Sequence, residues 1–139
     1  MISHVSPVRV RYRDTDQMGV VYHGVYLEYF ETGRTELLRE LDIPYSGIEE
    51  QGLMLPVLDL ALKIERPARY DDLLHVESVI DRMQGARLRI DYRLYRADDP
   101  DLLVSGHTTH AFVSVGDLSP RRPPRFFLER LERASVREA

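Results

Sequence analysis

From Arg87 to Tyr95 the chain alternates without a break: Leu88, Ile90, Tyr92 and Leu94 fall on one side of an extended backbone, Arg87, Arg89, Asp91 and Arg93 on the other. A period of two describes a strand with one dry and one wet face, and it does not fit a helix, whose faces repeat every 3.6 residues. The rhythm recurs. Val8, Val10 and Tyr12 alternate with Arg9, Arg11 and Arg13, and Leu58, Leu60, Leu62 and Ile64 alternate with Asp59, Ala61, Lys63 and Glu65. Leu74 to Ile80 and Leu102 to Val115 complete five strands. Their unlike faces disfavour an all-parallel sheet covered on both sides. Turn signals at Arg66-Pro67, Gln84-Gly85 and Asp98-Asp99-Pro100 leave short links, which pair successive strands antiparallel.

Between the first two strands, Tyr26, Leu27, Phe30, Gly33, Arg34, Leu37, Leu38 and Leu41 follow a helical repeat, predicting one long helix over His23 to Leu41 with a buried face. Gly33 in its middle costs roughly 1 kcal/mol against alanine, so its use is to let a strand approach closely. Asp42-Ile43-Pro44 ends the helix, and a short second one is expected from Pro124. The class is α+β, an antiparallel sheet of about five strands around one long helix, in one domain over residues 1–139. One helix cannot cover such a sheet. A homodimer is expected, with edge strands joined into a continuous sheet and a homotetramer beyond it.

The formal charge of −4 argues against broad attraction to nucleic acid, so any anion site must be local. No cysteine is present, which excludes a disulfide framework and a thiolate nucleophile. The opening MISHVSPVRVRYRDTD has no apolar signal core, and no stretch approaches the ~20 apolar residues of a membrane span; a soluble, cytoplasmic protein is expected.

The chemistry concentrates in Asp14 to Tyr26, where a carboxylate, a glycine turn and a helix start without a Ser, Thr, Asp or Asn cap follow one another. Such parts can activate a nucleophile against a carbonyl and hold the developing oxyanion. By residue type alone, an Asp such as Asp16 in a turn is more often a cap or turn former than a catalytic group, and Gly24 is equally a plain cap. Asp14 is expected to be solvated or paired with Arg13. A calcium loop fails, because Met18 is a poor ligand and Val25 stands where a bidentate Glu belongs. His107 and His110, three apart, face opposite sides of a strand, which disfavours zinc. No Gly-x-Ser-x-Gly elbow or phosphate loop occurs.

Tyr12-Arg13-Asp14-Thr15-Asp16-Gln17-Met18-Gly19-Val20-Val21-Tyr22-His23-Gly24-Val25-Tyr26 resembles the signature of hotdog-fold acyl-CoA thioesterases of the 4-hydroxybenzoyl-CoA and Tol-Pal-cluster thioesterase group. The likeness continues through Tyr29-Phe30-Glu31, Arg34, Arg66 to Asp72 and Gly106 to Val113. It implies a helix wrapped by an antiparallel sheet, sites at subunit interfaces, and hydrolysis of acyl-CoA without a metal or other cofactor. Asp16 matches the acidic residue that acts as general base or nucleophile. The amide of His23 matches the carbonyl polariser, with Gly24 beside it, and the His23 side chain lines the pocket, orients Asp16 or moves a proton. Tyr22, Tyr26, Met54, Leu55 and Pro56 are expected near the acyl group. Arg82, Arg87, Arg121 and Arg122 are expected at the CoA phosphates, some from the neighbouring subunit. Acyl-carrier protein is a second possible carrier. Two other hotdog readings stay open: a 3-hydroxyacyl-thioester dehydratase using His23 with Asp16, whose usual helix-borne acid is not evident, and a non-catalytic subunit that binds acyl-CoA or acyl-carrier protein.

Overall fold

A computed structural model describes residues 1–138, with side-chain surroundings through residue 136. Its main sheet contains β1 (Ile2–Arg9), β3 (Val57–Ile64), β4 (Leu73–Gln84), β5 (Arg87–Arg96) and β6 (Asp99–Ala111), in the order β1-β4-β5-β6-β3. Every pairing is antiparallel. The hairpin links β4–β5 and β5–β6 form the meander expected from short turns, but the Arg66-Pro67 link does not pair β3 with β4: β3 crosses to the far side of the sheet beside β6, and β1 closes the other side beside β4. A separate two-stranded ribbon joins β2 (Leu53–Met54) to β7 (Val113–Ser114). In β5, Leu88, Ile90, Tyr92 and Leu94 are buried and Arg87, Arg89 and Arg93 exposed, as the alternation requires.

The long helix, α1 (Val25–Glu40), buries Tyr26, Tyr29, Phe30, Gly33, Leu37 and Leu38 against the sheet. It stops by backbone geometry. Asp42 adopts a left-handed φ of 61°, its amide donates to Arg39, and the Ile43 amide donates to Leu38 at 2.8 Å. This is the Schellman ending, with Leu38 and Ile43 both buried as its apolar contact. The sequence reading missed α2 (Tyr45–Glu50), a single short turn of helix that buries only Ile48. The final helix, α3 (Arg125–Glu138), is longer than expected and packs Phe127 and Leu131 into the core. Among the described residues no helix is long and apolar enough to cross a membrane.

Gly33 has the role its position suggests. A Cβ there would lie 2.5 Å from Ser78 Oγ and 2.7 Å from Val76 Cγ1, both on the interior strand β4. Gly33→Ala gains about 1 kcal/mol of helix propensity but meets an overpacking cost of about 1–3 kcal/mol. The expected result is a net loss of stability, read as a lower denaturant midpoint; a variant as stable as the parent would mean that α1 can withdraw from β4.

The apolar side of β3 has no such cover. Leu60 and Leu62 lie opposite Thr108 and Gly106 and so face the helix side of the sheet, yet Leu58, Leu60 and Ile64 are 46%, 48% and 45% exposed. The outer edge of β3 carries no partner strand among the described residues.

Candidate active site

After β1 the chain does not stay extended. Tyr12–Asp14 form one turn of 3-10 helix, which swings Asp14 inward rather than toward solvent. Asp14 is only 2% exposed. Its Oδ2 accepts from the Arg11 amide at 3.0 Å and from the Tyr29 hydroxyl at 2.8 Å, and its Oδ1 from the Arg11 guanidinium at 3.3 Å. Burial by itself would raise the Asp14 pKa, but these three donors outweigh it and hold the carboxyl below the usual range. Tyr29 is pushed up, by burial first and by Asp14 second, so its hydroxyl stays protonated and donating. The expected solvation or Arg13 pairing of Asp14 is thus corrected: its partners are Arg11 and a helix residue fifteen positions away, which no local signal could reveal.

Asp16 follows on a tight loop. Its amide donates to Val20, its carbonyl accepts from Gly19 at 2.9 Å, and Gly19 takes the left-handed φ of 78° that closes the turn. Thr15 bridges Val21, while the Tyr22 amide donates to the Asp14 carbonyl and the Val21 amide to that of Ala68. The Asp16 carboxylate divides its duties. Oδ1 accepts from the Met18 amide at 2.9 Å, and Oδ2 has no hydrogen-bond partner among the described residues. Turn forming and chemistry therefore do not compete for the same oxygen.

The loop delivers the chain directly into α1. Gly24 occupies the N-cap without a side-chain cap, and the first-turn donors Val25, Tyr26 and Leu27 bond back to Tyr22, His23 and Gly24 carbonyls. The amides of His23 and Gly24 have no acceptor among the described residues. Two free N–H groups at the positive end of a 16-residue helix form a ready site for an oxyanion. The His23 ring is exposed and lies 4.2 Å from that of Tyr22.

The Thioesterase-like superfamily model matches residues 10–131. The chain belongs to this superfamily. It is 41% identical to the acyl-CoA thioesterase YbgC of Haemophilus influenzae over 121 residues, covering 86% of this chain and 87% of that one. Against the acyl-CoA thioester hydrolase YbgC of Escherichia coli the identity is 33% over 119 residues, covering 86% and 88%. The crystal structure of the DHNA-CoA thioesterase of Staphylococcus aureus superposes with a TM-score of 0.88 at 27% identity, over 99% of this chain and 91% of that one. This member of the thioesterase-like superfamily has the hotdog fold.

The other residues expected to touch a thioester divide between places. Tyr26 is fully buried, with its hydroxyl accepting the Ala68 amide at 3.0 Å, so within the protomer it braces the Arg66–Asp72 loop and is not part of an open pocket. Leu55 and Pro56 line a cavity of about 320 Å³ with Leu38, Tyr45 and Val57, beside Glu31, Arg34 and Thr35. Its apolar part suits an acyl group. A wider groove of about 550 Å³ runs between β1 and α1, but in its lining the carboxylates of Asp14, Glu28, Glu31 and Glu36 outnumber Arg9 and Arg11, which disfavours phosphates. Met54 sits half-buried on the β2–β7 ribbon.

Arg82 and Arg87 flank the β4–β5 hairpin, and Arg121 joins the same end of the sheet through its amide on Phe112. All three are exposed, as is Arg122. The loop bearing Asp16 is tied instead to the other end, where the Val10 amide donates to Asp72 just before β4 begins. At ~3.3 Å per residue, Arg82 and the start of β4 are about 30 Å apart. One protomer therefore does not bring its own arginine cluster to its own Asp16.

Proposed function

We propose that this protein is an acyl-CoA thioesterase in which Asp16 and the His23 and Gly24 amides just before α1 form the catalytic centre. The observation that carries the reading is the pairing of an unengaged Asp16 Oδ2 with two acceptor-free amides, at His23 and Gly24, on one hydrogen-bonded loop. Relatives named acyl-CoA thioesterases at 33–41% identity support the reaction class.

The thioester carbonyl oxygen points at the His23 and Gly24 amides, which polarise it and hold the oxyanion of the tetrahedral intermediate. Asp16 either takes a proton from the attacking water or adds to the carbonyl carbon itself, giving an anhydride that water then opens. In both courses the carbon–sulfur bond breaks, the CoA sulfur leaves as thiolate, and the acyl group departs as a free acid.

The active assembly is a homodimer joined at the β3 edges, capable of pairing further into a tetramer. Three facts support it: the unpaired outer edge of β3, the exposed Leu58, Leu60 and Ile64, and the separation of Asp16 from the arginine cluster. Antiparallel pairing of β3 with its own copy sets the Val57 end of one strand against the Ile64 end of the other. Each Asp16 then shares an end of the joined sheet with the partner's acyl cavity and with the arginines that meet CoA phosphates.

A panel of acyl-CoA, acyl-pantetheine and acyl-carrier-protein thioesters, followed by thiol release, tests the reading. Hydrolysis is expected, falling together with dimer content on dilution. Charge-removing substitutions at Arg82, Arg87, Arg121 and Arg122 should raise KM for acyl-CoA and leave the pantetheine thioester nearly unaffected. Binding without thiol release would overturn catalysis, and a fully active monomer would overturn the shared site.

A further inference from the structure

A chain of hydrogen bonds crosses the core from the middle of α1 to the wall of the apolar cavity. The Arg34 guanidinium donates to Tyr92 Oη at 3.1 Å, Tyr92 meets Thr108 Oγ1 at 2.7 Å, Thr108 meets His110 Nε2 at 2.8 Å, and His110 Nδ1 meets the Leu55 carbonyl at 3.2 Å. Its two ends fix the direction of every proton between them. A carbonyl only accepts, so Nδ1 carries the hydrogen. A neutral imidazole then accepts at Nε2, so Thr108 donates to it and receives from Tyr92, whose oxygen receives from Arg34. Burial first, and the Arg34 charge second, hold His110 down to about 4, so near neutral pH the ring has only the one proton this arrangement needs.

The chain leaves Arg34 clamped by one N–H and free at the rest. A guanidinium has five N–H donors, and Tyr92 is the only hydrogen-bond partner Arg34 has among the described residues; no ion pair to a carboxylate forms, although Glu31 lines the same cavity. Leu38, Leu55, Pro56, Val57 and the Tyr45 ring make most of the remaining wall apolar, with Glu31 and Thr35 as its other polar members. A half-buried cation facing such a wall is poorly served by a hydrocarbon and well served by an oxygen acceptor.

We propose that Arg34 is a specificity-determining residue, held in place by the Tyr92–Thr108–His110–Leu55 chain, which selects thioesters whose acyl group carries a carboxylate or hydroxyl oxygen over hydrocarbon acyl groups of the same size. The inference rests on the catalytic reading above and assigns what the cavity recognises.

The test uses matched substrates with the intact protein: succinyl-CoA against butyryl-CoA, and 4-hydroxybenzoyl-CoA against benzoyl-CoA. At least one oxygen-bearing substrate should exceed its hydrocarbon partner in kcat/KM, and which pair shows it separates a carboxylate preference from a hydroxyl preference. Arg34→Met keeps length and removes charge and donors; it should lower that ratio about ten- to a hundredfold, chiefly through the oxygen-bearing substrate, in line with loss of a hydrogen bond to a charged group. Thr108→Val interrupts the chain without touching Arg34, and should lower the same ratio by less. Thermal melts separate this from unfolding, since a purely structural role would depress both substrates in parallel with stability. A wild-type preference for the hydrocarbon in both pairs, or an unchanged ratio in Arg34→Met, overturns the inference while leaving catalysis by Asp16 standing. A wild type that hydrolyses no thioester overturns both.

Discussion

Asp16→Asn is expected to lower turnover by about 10²- to 10⁴-fold, the usual worth of a positioned base, while the fold and acyl-CoA binding persist. The structure explains why so large an effect can come with so little disturbance. The oxygen that accepts the Met18 amide is retained in asparagine, so the turn closed by Gly19 keeps its bond. The substitution changes the oxygen that has no structural task, replacing a proton acceptor and nucleophile with a donor. Turnover with each thioester, the melting temperature and equilibrium binding of the intact substrate are the three measurements. Near-normal turnover would remove Asp16 from the mechanism, whereas loss of binding and stability together would show that its role is to shape the loop.

The second large effect is on stability and runs with pH. His110 in the unfolded chain takes up a proton near its ordinary 6.5, but in the folded protein only at about 4, because burial and then the Arg34 charge oppose it, against a smaller opposing pull from the Leu55 and Pro56 backbone and Asp59. Between those values the unfolded state holds more protons, so acidification favours unfolding. The stabilisation is complete above about pH 6.5 and is lost as the pH falls toward 4, a change on the order of 3 kcal/mol across the window. Asp14, held below the usual carboxylate range, adds a loss in the same direction at lower pH still. Denaturant midpoints at pH 7 and pH 4.5, at fixed protein concentration, measure it. His110→Gln should start from lower stability and show a shallower fall; an equal fall would assign the acid sensitivity to other groups.

The strands were legible because their faces differ. In β5 every second residue is apolar, and burial follows that pattern from Leu88 to Leu94. The α1 boundaries came within two residues at the start and one at the end, since its repeat is strong and Asp42 and Pro44 end it. The order of the sheet was not legible: β3 pairs with β6 across forty or more positions of chain, and no local preference encodes that choice. The first strand was read too late because its inward face carries Ile2, His4 and Ser6, a set too polar to announce burial.

At the candidate site, the motif points to Asp16 and the bare helix start, both local features of the backbone. It did not locate their support. Asp14 and Tyr29, and the Arg34–His110 chain, join residues from separate elements by side-chain bonds, so only the folded structure puts them side by side. The arginine cluster illustrates the opposite limit. The family resemblance led to Arg82, Arg87, Arg121 and Arg122 as candidates, yet the hairpin that carries two of them is at the far end of the sheet from Asp16.

The Asp14 clamp bears on how the catalyst meets its substrate. The loop is fastened to the segment just after β1 through Arg11, to α1 through Tyr29, to its own returning arm through Tyr22, and to the Arg66–Asp72 loop through Val21. Immobilising a backbone residue costs roughly 1–2 kcal/mol in lost conformational freedom. Here that loss is incurred once, when the chain folds, and not again at each encounter with a ligand. Contacts made along a thioester then need not organise the proposed catalytic groups, and the free energy they release is available to lower the barrier itself.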